Sequence, residues 1–184
     1  RSNSRIRKVA PDGTVTTIAG ASGPGKVDGT LSQSKFMYPC GVAVAETGQI
    51  VVADTENHAI RVIDVAANAV GTVAGGSGAG YQEGTGAGAK FTYPMAVTMD
   101  WENNAFVVDK GNHRIRRVNP NGETLLMAGD GTAGMKDVAG DTKFGQFNNP
   151  LAVAFANTAS GPMAYVADSF NYRVRKLFPN NLST

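Results

Sequence analysis

The sequence is poor in the features that would assign it to several large classes of protein. Of its 184 residues only Cys40 is a cysteine, so an internal disulfide framework is excluded. No apolar stretch is long enough to cross a bilayer, and the chain does not open on a basic segment followed by an apolar one. Its 17 basic and 15 acidic residues nearly cancel, whereas nucleic-acid-binding proteins usually carry a clustered basic surplus. We therefore expect a soluble globular protein, and the sequence gives no indication of its compartment.

What the sequence does contain is one pattern that occurs several times. Asn57-His58-Ala59-Ile60-Arg61-Val62 returns as Asn112-His113-Arg114-Ile115-Arg116-Arg117 and as Asn171-Tyr172-Arg173-Val174-Arg175-Lys176, and Asn3-Ser4-Arg5-Ile6-Arg7-Lys8 is a partial fourth copy. Aspartates and prolines recur at matching offsets; Asp54 and Asp109, for example, lie 55 residues apart. Similarity at a fixed period of this length indicates a repeat architecture.

Within one repeat, short segments rich in β-branched and aromatic residues alternate with turn-forming residues. In the second full copy they predict strand a at 95–99, strand b at 105–108, strand c at 114–118 and strand d at 123–128. No segment keeps an apolar 3.6-residue period over the length of a helix. Four antiparallel strands per repeat, arrayed in tandem, predict an all-β protein built of β-propeller blades. A β-solenoid is the alternative, but its coils are usually shorter and lack these hairpin turns.

Long glycine-rich segments connect strand d of one repeat to strand a of the next, at 20–38, 75–93 and 129–149. Each ends in a phenylalanine shortly before a proline, and we expect this ring to be buried between repeats and to order the loop. The third segment matches the dinucleotide-binding pattern G-x-G-x-x-G at 129–134, but no helix follows it to receive a pyrophosphate, so we interpret the match as a coincidence. The three phenylalanines are Phe36, Phe91 and Phe147.

One family resemblance rests on these residues. The first full copy reads Pro39-Cys40-Gly41-Val42-Ala43-Val44 and then Val51-Val52-Ala53-Asp54-Thr55-Glu56-Asn57-His58, and the second repeats Asp109-Lys110-Gly111-Asn112-His113. This pattern resembles the NHL repeat. The third copy departs from it, with Tyr172 in place of histidine and Leu151-Ala152 where glycine is common. The resemblance implies a propeller, generally of six blades, in a family that includes protein-interaction scaffolds, RNA-binding domains and a few enzymes.

The predicted blades are incomplete at both ends of the chain. We treat residues 1–184 as a single NHL-repeat array: strands c and d of a first blade at 5–20, full blades at 39–75 and 94–129, and strands a to c of a last blade at 150–178. Thirteen strands make about three blades, which cannot close a ring. We therefore expect a slice of a longer propeller, or two copies that complete one ring. Open blade edges and half-buried faces would favour self-association.

The recurrent polar residues invite a catalytic interpretation that their recurrence argues against. His58 and His113 stand on neighbouring blades about 10 Å apart, whereas zinc ligands each lie about 2 Å from the ion. We expect both histidines to pack and hydrogen-bond in their turns, and Cys40 to be a buried apolar filler. An acid or base needed for catalysis should occur once. We therefore expect the repeated aspartates to cap the turn between strands b and c, accepting backbone N–H groups, and the repeated arginines to reach a neighbouring strand or blade. These structural repeat residues are Asp54, Asp109, Asp168, Arg61, Arg116 and Arg175.

Strand c carries ten of the seventeen basic residues and supplies the alternative of an RNA-binding band. Aromatic residues for base stacking are few there, with only Tyr172 and Phe178 close by, which weakens that interpretation. The ten are Arg5, Arg7, Lys8, Arg61, Arg114, Arg116, Arg117, Arg173, Arg175 and Lys176.

In a propeller, the loops between blades and the turns between strands b and c emerge on the same face. Mixed charge with scattered aromatic residues on that face suits protein recognition. We therefore expect a non-enzymatic scaffold without cofactor or metal that binds a protein partner, not a membrane, mainly through residues 22–35, 77–90 and 130–143. The alternatives are an RNA-binding NHL domain and a metal-dependent lyase or lactonase-like enzyme completed by further blades. The candidate binding residues are Lys26, Lys35, Tyr38, His58, Tyr81, Lys90, Tyr93, His113, Lys136, Lys143 and Tyr172.

Overall fold

The structure is a computed structural model that describes residues 3–139, 141–158 and 161–177. Over these residues the chain forms antiparallel sheets joined by loops and short 3-10 turns, so the prediction of an all-β fold built of propeller blades is confirmed. None of the helical turns in these ranges is long and apolar enough to cross a membrane. Phe178, the last residue assigned to the final blade, lies outside the described residues.

The first two sheets come from the first 75 residues. A two-stranded half-sheet precedes a complete four-stranded blade, and in both the strands follow one another in chain order. The half-sheet is β1 (Ile6–Val9) and β2 (Val15–Ala19). The first full blade is β3 (Pro39–Val44), β4 (Ile50–Asp54), β5 (Ala59–Asp64) and β6 (Ala69–Gly75).

The second full blade gains a fifth strand that sequence reasoning did not predict. The two-residue strand β7 (Gly84–Thr85) belongs to the loop before this blade and pairs with its outermost strand, opposite Glu123 and Thr124. The four strands expected from the sequence are present almost residue for residue. They are β8 (Pro94–Met99), β9 (Ala105–Asp109), β10 (Arg114–Val118) and β11 (Glu123–Ala128).

The last sheet contains three strands among the described residues, in the order β12-β13-β14. Their register matches that of the full blades: Asp168 pairs with Arg173 as Asp109 pairs with Arg114. The strands are β12 (Ala152–Thr158), β13 (Gly161–Asp168) and β14 (Arg173–Leu177).

The sheets pack face to face, and the core is divided into one cluster per interface. The side chains of one blade interdigitate with those of the next because alternate residues of a strand point to opposite faces. The predicted burial of the loop phenylalanines is confirmed: Phe36, Phe91 and Phe147 are 0, 0 and 2% exposed, and each belongs to a different cluster.

The innermost strands of the first two full blades approach each other closely. A Cβ atom on Gly41 of β3 would lie 2.7 Å from Cα of Ala96 in β8 and 2.9 Å from the carbonyl oxygen of Met95. These are backbone atoms, which cannot rotate away. Glycine at this position therefore sets the spacing of the two blades near their inner edge.

Candidate binding face

The turn between strands b and c has the same structure in all three blades. In the first, Asp54 ends β4, a 3-10 turn covers Thr55–Asn57, and His58 adopts a left-handed conformation with φ of 51° before β5 begins. Asn57 Nδ2 donates to Asp54 Oδ2 over 2.7 Å, so the aspartate is tied to the turn by a side chain. His113 and Tyr172, both with φ of 54°, occupy the position of His58 in the other two blades.

The aspartate also holds the end of the long loop that precedes its blade. Asp54 Oδ1 accepts the backbone N–H of Met37 at 2.7 Å, and no bond from its side chain caps the 3-10 turn. The prediction that the aspartate accepts a backbone N–H is confirmed, but the predicted donor was wrong: the donor lies in the incoming loop. The carboxylates of Asp109 and Asp168 accept the equivalent N–H groups of Thr92 and Asn148.

The arginine of strand c binds the same loop at two further points. Arg61 NH1 donates to the carbonyl oxygen of Lys35 at 3.0 Å and to Asp54 Oδ2 at 2.8 Å, while NH2 donates to the carbonyl oxygen of Val27 at 2.8 Å. Asn57 adds a bond from its amide to the carbonyl oxygen of Gly25. The prediction that the arginine reaches a neighbouring strand or blade is confirmed for the strand, since Asp54 ends β4; its bonds to the loop carbonyls were not predicted.

We call this set the loop clamp: Asp54, Asn57 and Arg61 in the first blade and their equivalents in the other two. The equivalents bind equivalent loop carbonyls, so each long loop is fixed by the blade that follows it. In the second blade Asn112 binds Gly80, and Arg116 binds Lys90 and Gln82; in the third, Asn171 binds Gly134, and Arg175 binds Gln146 and Lys136.

The clamp is buried beneath the loops. The side chains of Arg61 and Arg116 and those of all three aspartates are fully buried, while Arg175 is 10% exposed. Burial raises the pKa of Asp109 to about 6, against the lowering effect of Asn112, the Thr92 N–H and Arg116. Burial likewise raises the pKa of Asp54. Each arginine also lies over the buried phenylalanine of its loop, at 5.0 to 5.3 Å from the ring centre.

The clamps differ in the last partner of the arginine. Arg61 and Arg175 each pair with a second, exposed carboxylate from the loop, Asp28 at 2.6 Å and Asp137 at 2.5 Å. In the second blade the aligned acid, Glu83, accepts the backbone N–H of Leu126, as Asp28 accepts that of Thr72, but it does not pair with Arg116. There the ring of Tyr81 stacks on the guanidinium groups of Arg116 and Arg114, at 4.6 and 3.8 Å.

Each loop is also closed by bonds of its own backbone. The N–H of Gly25 donates to the carbonyl oxygen of Phe36 over 3.0 Å, and the N–H of Lys35 donates to that of Val27 over 3.0 Å. The same two bonds recur in the other loops. The N–H groups of Gly80 and Gly134 donate to the phenylalanines of their loops, and those of Lys90 and Gln146 donate to the carbonyl oxygens of Gln82 and Lys136. Loops that composition alone would describe as floppy are therefore held at several points.

Both histidines join one blade to the next. His58 Nδ1 accepts the backbone N–H of Tyr93 at 3.1 Å, and His113 Nδ1 accepts that of Asn149 at 3.1 Å. Both rings are therefore neutral, with the proton on Nε2. Burial lowers the pKa of each, against Glu56 at His58 and against Asp168 at His113, where Arg114 adds to the lowering. The prediction that they pack and hydrogen-bond at the turns is confirmed.

The five lysines predicted for the binding face have different surroundings. Lys35 and Lys90 are half-buried, with their aliphatic stems against Gly25 and Gly80. The Nζ atom of Lys26 donates to the carbonyl oxygen of Gly76 and links two loops. Lys136 and Lys143 are exposed, in the third loop.

Several aromatic residues on this surface are exposed to solvent. Tyr38 and Tyr93 are 42 and 43% exposed, and the ring of Tyr93 lies edge-on to His58 at 4.8 Å. Tyr172 is 95% exposed. Sequence reasoning missed Phe144 and Phe170, which are 62 and 63% exposed. Their signal was present: each follows a polar residue in a 3-10 turn and has no aromatic counterpart in the other copies.

Half of the ten basic residues on strand c are buried or half-buried and do not contribute to an open band. Arg61 and Arg116 are buried in clamps, Arg175 is mostly buried, and Arg114 donates to the carbonyl oxygen of Asp130 at 2.6 Å. The exposed remainder is Arg5, Arg7, Lys8, Arg173 and Lys176.

Cys40 differs from its prediction. It is half-buried, with its thiol 3.2 Å from the carbonyl oxygen of Tyr38, and its equivalents Met95 and Leu151 are not buried either. The pairing of strand a with strand b is irregular at this position, between Pro39 and Gly41 and between Pro94 and Ala96, so the expected buried filler was wrong. Within the described ranges no group of three or more His, Cys, Asp or Glu side chains is arranged to hold a metal ion.

Comparison with known proteins agrees with this geometry. The family model of the NHL repeat matches residues 36–63. NHL repeat-containing protein 2 of Bos taurus is 32% identical over 196 residues, an alignment that covers 93% of this chain and 26% of that protein. The chain thus spans about a quarter of the length of this curated relative.

Two solved structures show the same fold at low identity. An auxiliary nutrient binding protein from Bacteroides ovatus is similar over 95% of this chain and 43% of its own, with 22% identity and a TM-score of 0.71. Virginiamycin B lyase from Staphylococcus aureus is similar over 96% of this chain and 49% of its own, with 13% identity and a TM-score of 0.52. At these identities the likeness concerns the fold alone.

Proposed function

Because the chain belongs to the NHL-repeat family of β-propeller proteins, we propose that it is a non-enzymatic interaction module that binds a protein partner through its loop face. The loop face is the surface formed by the three long loops within residues 20–38, 75–93 and 129–149 together with the turns between strands b and c. The observation that carries the proposal is that three loops are fixed by one repeated clamp, while the side chains at their tips differ.

A fixed loop is suited to recognition because little conformational freedom remains to be lost on binding. The clamp binds backbone carbonyls, so it constrains the path of each loop without restricting which side chains the loop carries. Tyr38, Tyr93, Phe144, Phe170 and Tyr172 are exposed aromatic residues of the kind that dominates protein interfaces.

Two features favour a protein partner over RNA and over a small-molecule substrate. The three arginines that recur in the blades, Arg61, Arg116 and Arg175, are engaged by loop carbonyls and buried carboxylates and are not free to contact phosphate groups. The Asp and Arg side chains that would supply acid-base chemistry serve the same structural purpose in every blade, whereas catalysis needs a unique constellation. The likeness to a lyase concerns the fold and brings no catalytic residue to this chain.

The proposal is tested by selecting displayed random peptides against the immobilised chain and measuring the affinity of the selected peptides for variants. Phe144→Ser and Phe170→Ser remove exposed rings from the loop face, and Val65→Ser removes a comparably exposed apolar residue from the turn between strands c and d. We expect the loop-face changes to weaken binding by at least about tenfold and Val65→Ser to leave it unchanged. Peptides that bind all three variants equally would contradict the proposal.

The enzyme alternative has its own test. We expect purified protein to carry no stoichiometric divalent metal, by elemental analysis, and to show no turnover of lactone substrates. A bound metal together with turnover that a chelator abolishes would replace the scaffold proposal with a metal-dependent one.

A further inference from the structure

A cavity of about 120 Å³ opens between the two full blades, at the end of the strands opposite to the loop face. Its walls come from the turns between strands a and b of both blades, from the turn after strand c of the second, and from apolar side chains that include Val51, Val73, Met99 and Val118. We infer that this interblade cavity binds the aromatic ring of a small uncharged molecule whose polar group lies at the mouth. The inference goes beyond the loop-face proposal and involves none of its residues.

At the next interface along the chain, the equivalent positions carry aromatic rings of the protein itself. Phe106 has the repeat position of Val51, and Phe155 has that of Met99. The rings of Phe106 and Phe155 stack with their centres 5.2 Å apart, and Trp101 lies against Phe155 at 5.3 Å. Two neighbouring blades of this chain therefore accommodate aromatic rings at these positions.

The first interface has none of these three rings at its equivalent positions. Val51 and Met99 stand in place of the two phenylalanines, and Glu46 stands in place of Trp101, since the two turns have the same length and are closed by equivalent backbone bonds. Glu46 is exposed and does not line the cavity. The cavity thus lies where the second interface has rings, which is why we assign an aromatic occupant to it.

The size and the lining of the cavity narrow the ligand further. An apolar cavity of roughly 150 Å³ binds benzene, so one of about 120 Å³ holds a single six-membered ring, and any larger group stays in the mouth. All the described residues that line it are uncharged, so a charged ligand would lose its hydration without gaining a partner. The ligand is therefore a neutral molecule with one buried ring.

Asn103 supplies a polar contact for such a ligand. It lies in the turn between strands a and b of the second blade and lines the cavity. Its Oδ1 atom accepts the backbone N–H of Glu46 at 2.9 Å, which joins the two blades, whereas its Nδ2 atom has no hydrogen-bond partner within the described ranges. That amide group is available to donate to a carbonyl or hydroxyl oxygen on the ligand.

The test titrates benzamide and benzoate into the protein and follows the methyl NMR signals of Val73 and Val118, which line the cavity. The two probes share one ring, but benzamide is neutral and benzoate is an anion. We expect benzamide to shift both signals with a dissociation constant on the order of 1 mM. Benzoate should bind more than about tenfold more weakly, because its charge would be desolvated.

Two variants close the cavity with the side chains that the second interface uses. Met99→Phe copies Phe155, and Val51→Phe copies Phe106 from the opposite wall. Each adds apolar volume to an existing space, so we expect both to fold, with the thermal midpoint as the check, and to bind benzamide more than about tenfold more weakly. Val65→Phe is the control, since Val65 is 51% exposed in a turn and does not line the cavity, and should leave the affinity unchanged.

A further variant tests the polar contact. Asn103→Gly removes the amide at a position with φ of 62°, which glycine adopts without strain. We expect it to weaken the binding of benzamide several-fold and to leave that of toluene, which has the ring but no polar group, unchanged. Equal loss for both probes would show that Asn103 shapes the cavity without bonding to the ligand.

Three results would overturn the proposal. The signals of Val73 and Val118 would not respond to benzamide up to its solubility limit, which would leave the cavity to a side chain of a larger partner. Met99→Phe and Val51→Phe would bind benzamide as tightly as the unaltered protein, which would place its site elsewhere. Benzoate would bind as tightly as benzamide. None of these results bears on the loop face, so the two proposals fail separately.

Discussion

The loop clamp and the loop tips lie a few residues apart on the same face, but the clamp repeats from blade to blade and the tips vary. The asparagine and the arginine of the clamp bind equivalent backbone carbonyls in all three blades, and only the last partner of the arginine differs. The tips vary: one loop stacks Tyr81 on two arginines, another exposes Phe144, and the first does neither. The clamp is buried and the tips are exposed.

This difference separates residues that build the fold from residues available for recognition. A polar residue that recurs in every copy, such as Asp54 or Arg61, invites a catalytic interpretation when it is considered alone. Its recurrence and its bonds to the incoming loop show a structural role. Aromatic residues that break the repeat, such as Phe170, are the better candidates for binding a partner.

Arg61→Ala should break the comparison most strongly, because it leaves Asp54 buried without its cationic partner and frees two carbonyls of the first loop. We expect the free energy of unfolding to fall by about 3 to 5 kcal/mol, measured as a shift of the urea midpoint. Arg117→Ala is the control, since Arg117 is a half-buried arginine on strand c outside the clamp. Equal losses of unfolding free energy for the two variants would mean that the clamp contributes no more to stability than an arginine outside it.

Phe91→Ala should cost nearly as much, because the ring is fully buried between two blades and its loss leaves a cavity. We expect about 3 to 5 kcal/mol from thermal or urea unfolding. Phe144→Ala removes the same ring from an exposed tip and should change stability by less than about 0.5 kcal/mol. If the two losses were similar, the distinction between a structural and a free phenylalanine would not hold.

Gly41→Ala tests the spacing of blades rather than the clamp and should have an intermediate effect. The added methyl group would meet backbone atoms of Met95 and Ala96, so we expect about 1 to 3 kcal/mol of destabilisation. Gly71→Ala on β6 meets no atom within 4 Å and should be neutral or slightly stabilising. A neutral result at Gly41 would show that the blades separate without cost.

Acidification should have the smallest effect, through the two histidines that accept backbone N–H groups. Because the pKa of His58 and of His113 is lowered on folding, the unfolded chain binds protons more readily. Their contribution to stability is therefore complete above the ordinary pKa of about 6.5 and is lost as the pH falls below it. We expect the urea midpoint to fall between neutral pH and pH 6.

The double variant His58→Asn and His113→Asn isolates this effect. Asparagine tolerates the left-handed backbone at both positions and does not titrate, so the fall in midpoint should be smaller in the variant. Burial raises the pKa of Asp109 to about 6, so this residue adds stability as the pH falls below 6. The two proteins are therefore compared above that pH. An unchanged pH dependence in the variant would exclude the histidines as its cause.

Much of the fold follows from the sequence because a repeat shows each strand several times. Strand c at 114–118 and strand d at 123–128 were predicted with their observed limits. The burial of Phe36, Phe91 and Phe147 was also predicted, since an apolar ring that recurs at the same repeat position indicates a packing role in each copy. Strand β7 could not be predicted, because two loop residues form a strand only when β11 lies beside them.

The candidate site was less accessible to sequence reasoning. The residues of the clamp were identified, but not the donor that Asp54 binds, since Met37 is 17 positions away and only the folded loop brings it near. Cys40 is half-buried at an irregularity in the pairing of β3 with β4, which the sequence pattern does not show. Phe144 and Phe170 were not predicted, because each occurs in one copy only and the repeat pattern gives no signal for such a residue.

Amide hydrogen exchange across the three loops tests the central claim most directly, namely that the loop clamp holds them in one conformation. The N–H groups of Gly25, Gly80 and Gly134 each donate to the carbonyl oxygen of the buried phenylalanine in the same loop. We predict that these three amides exchange far more slowly than amides of an unstructured chain, and that in Arg61→Ala only Gly25 loses much of its protection. Exchange at unstructured rates in the unaltered protein would contradict the account.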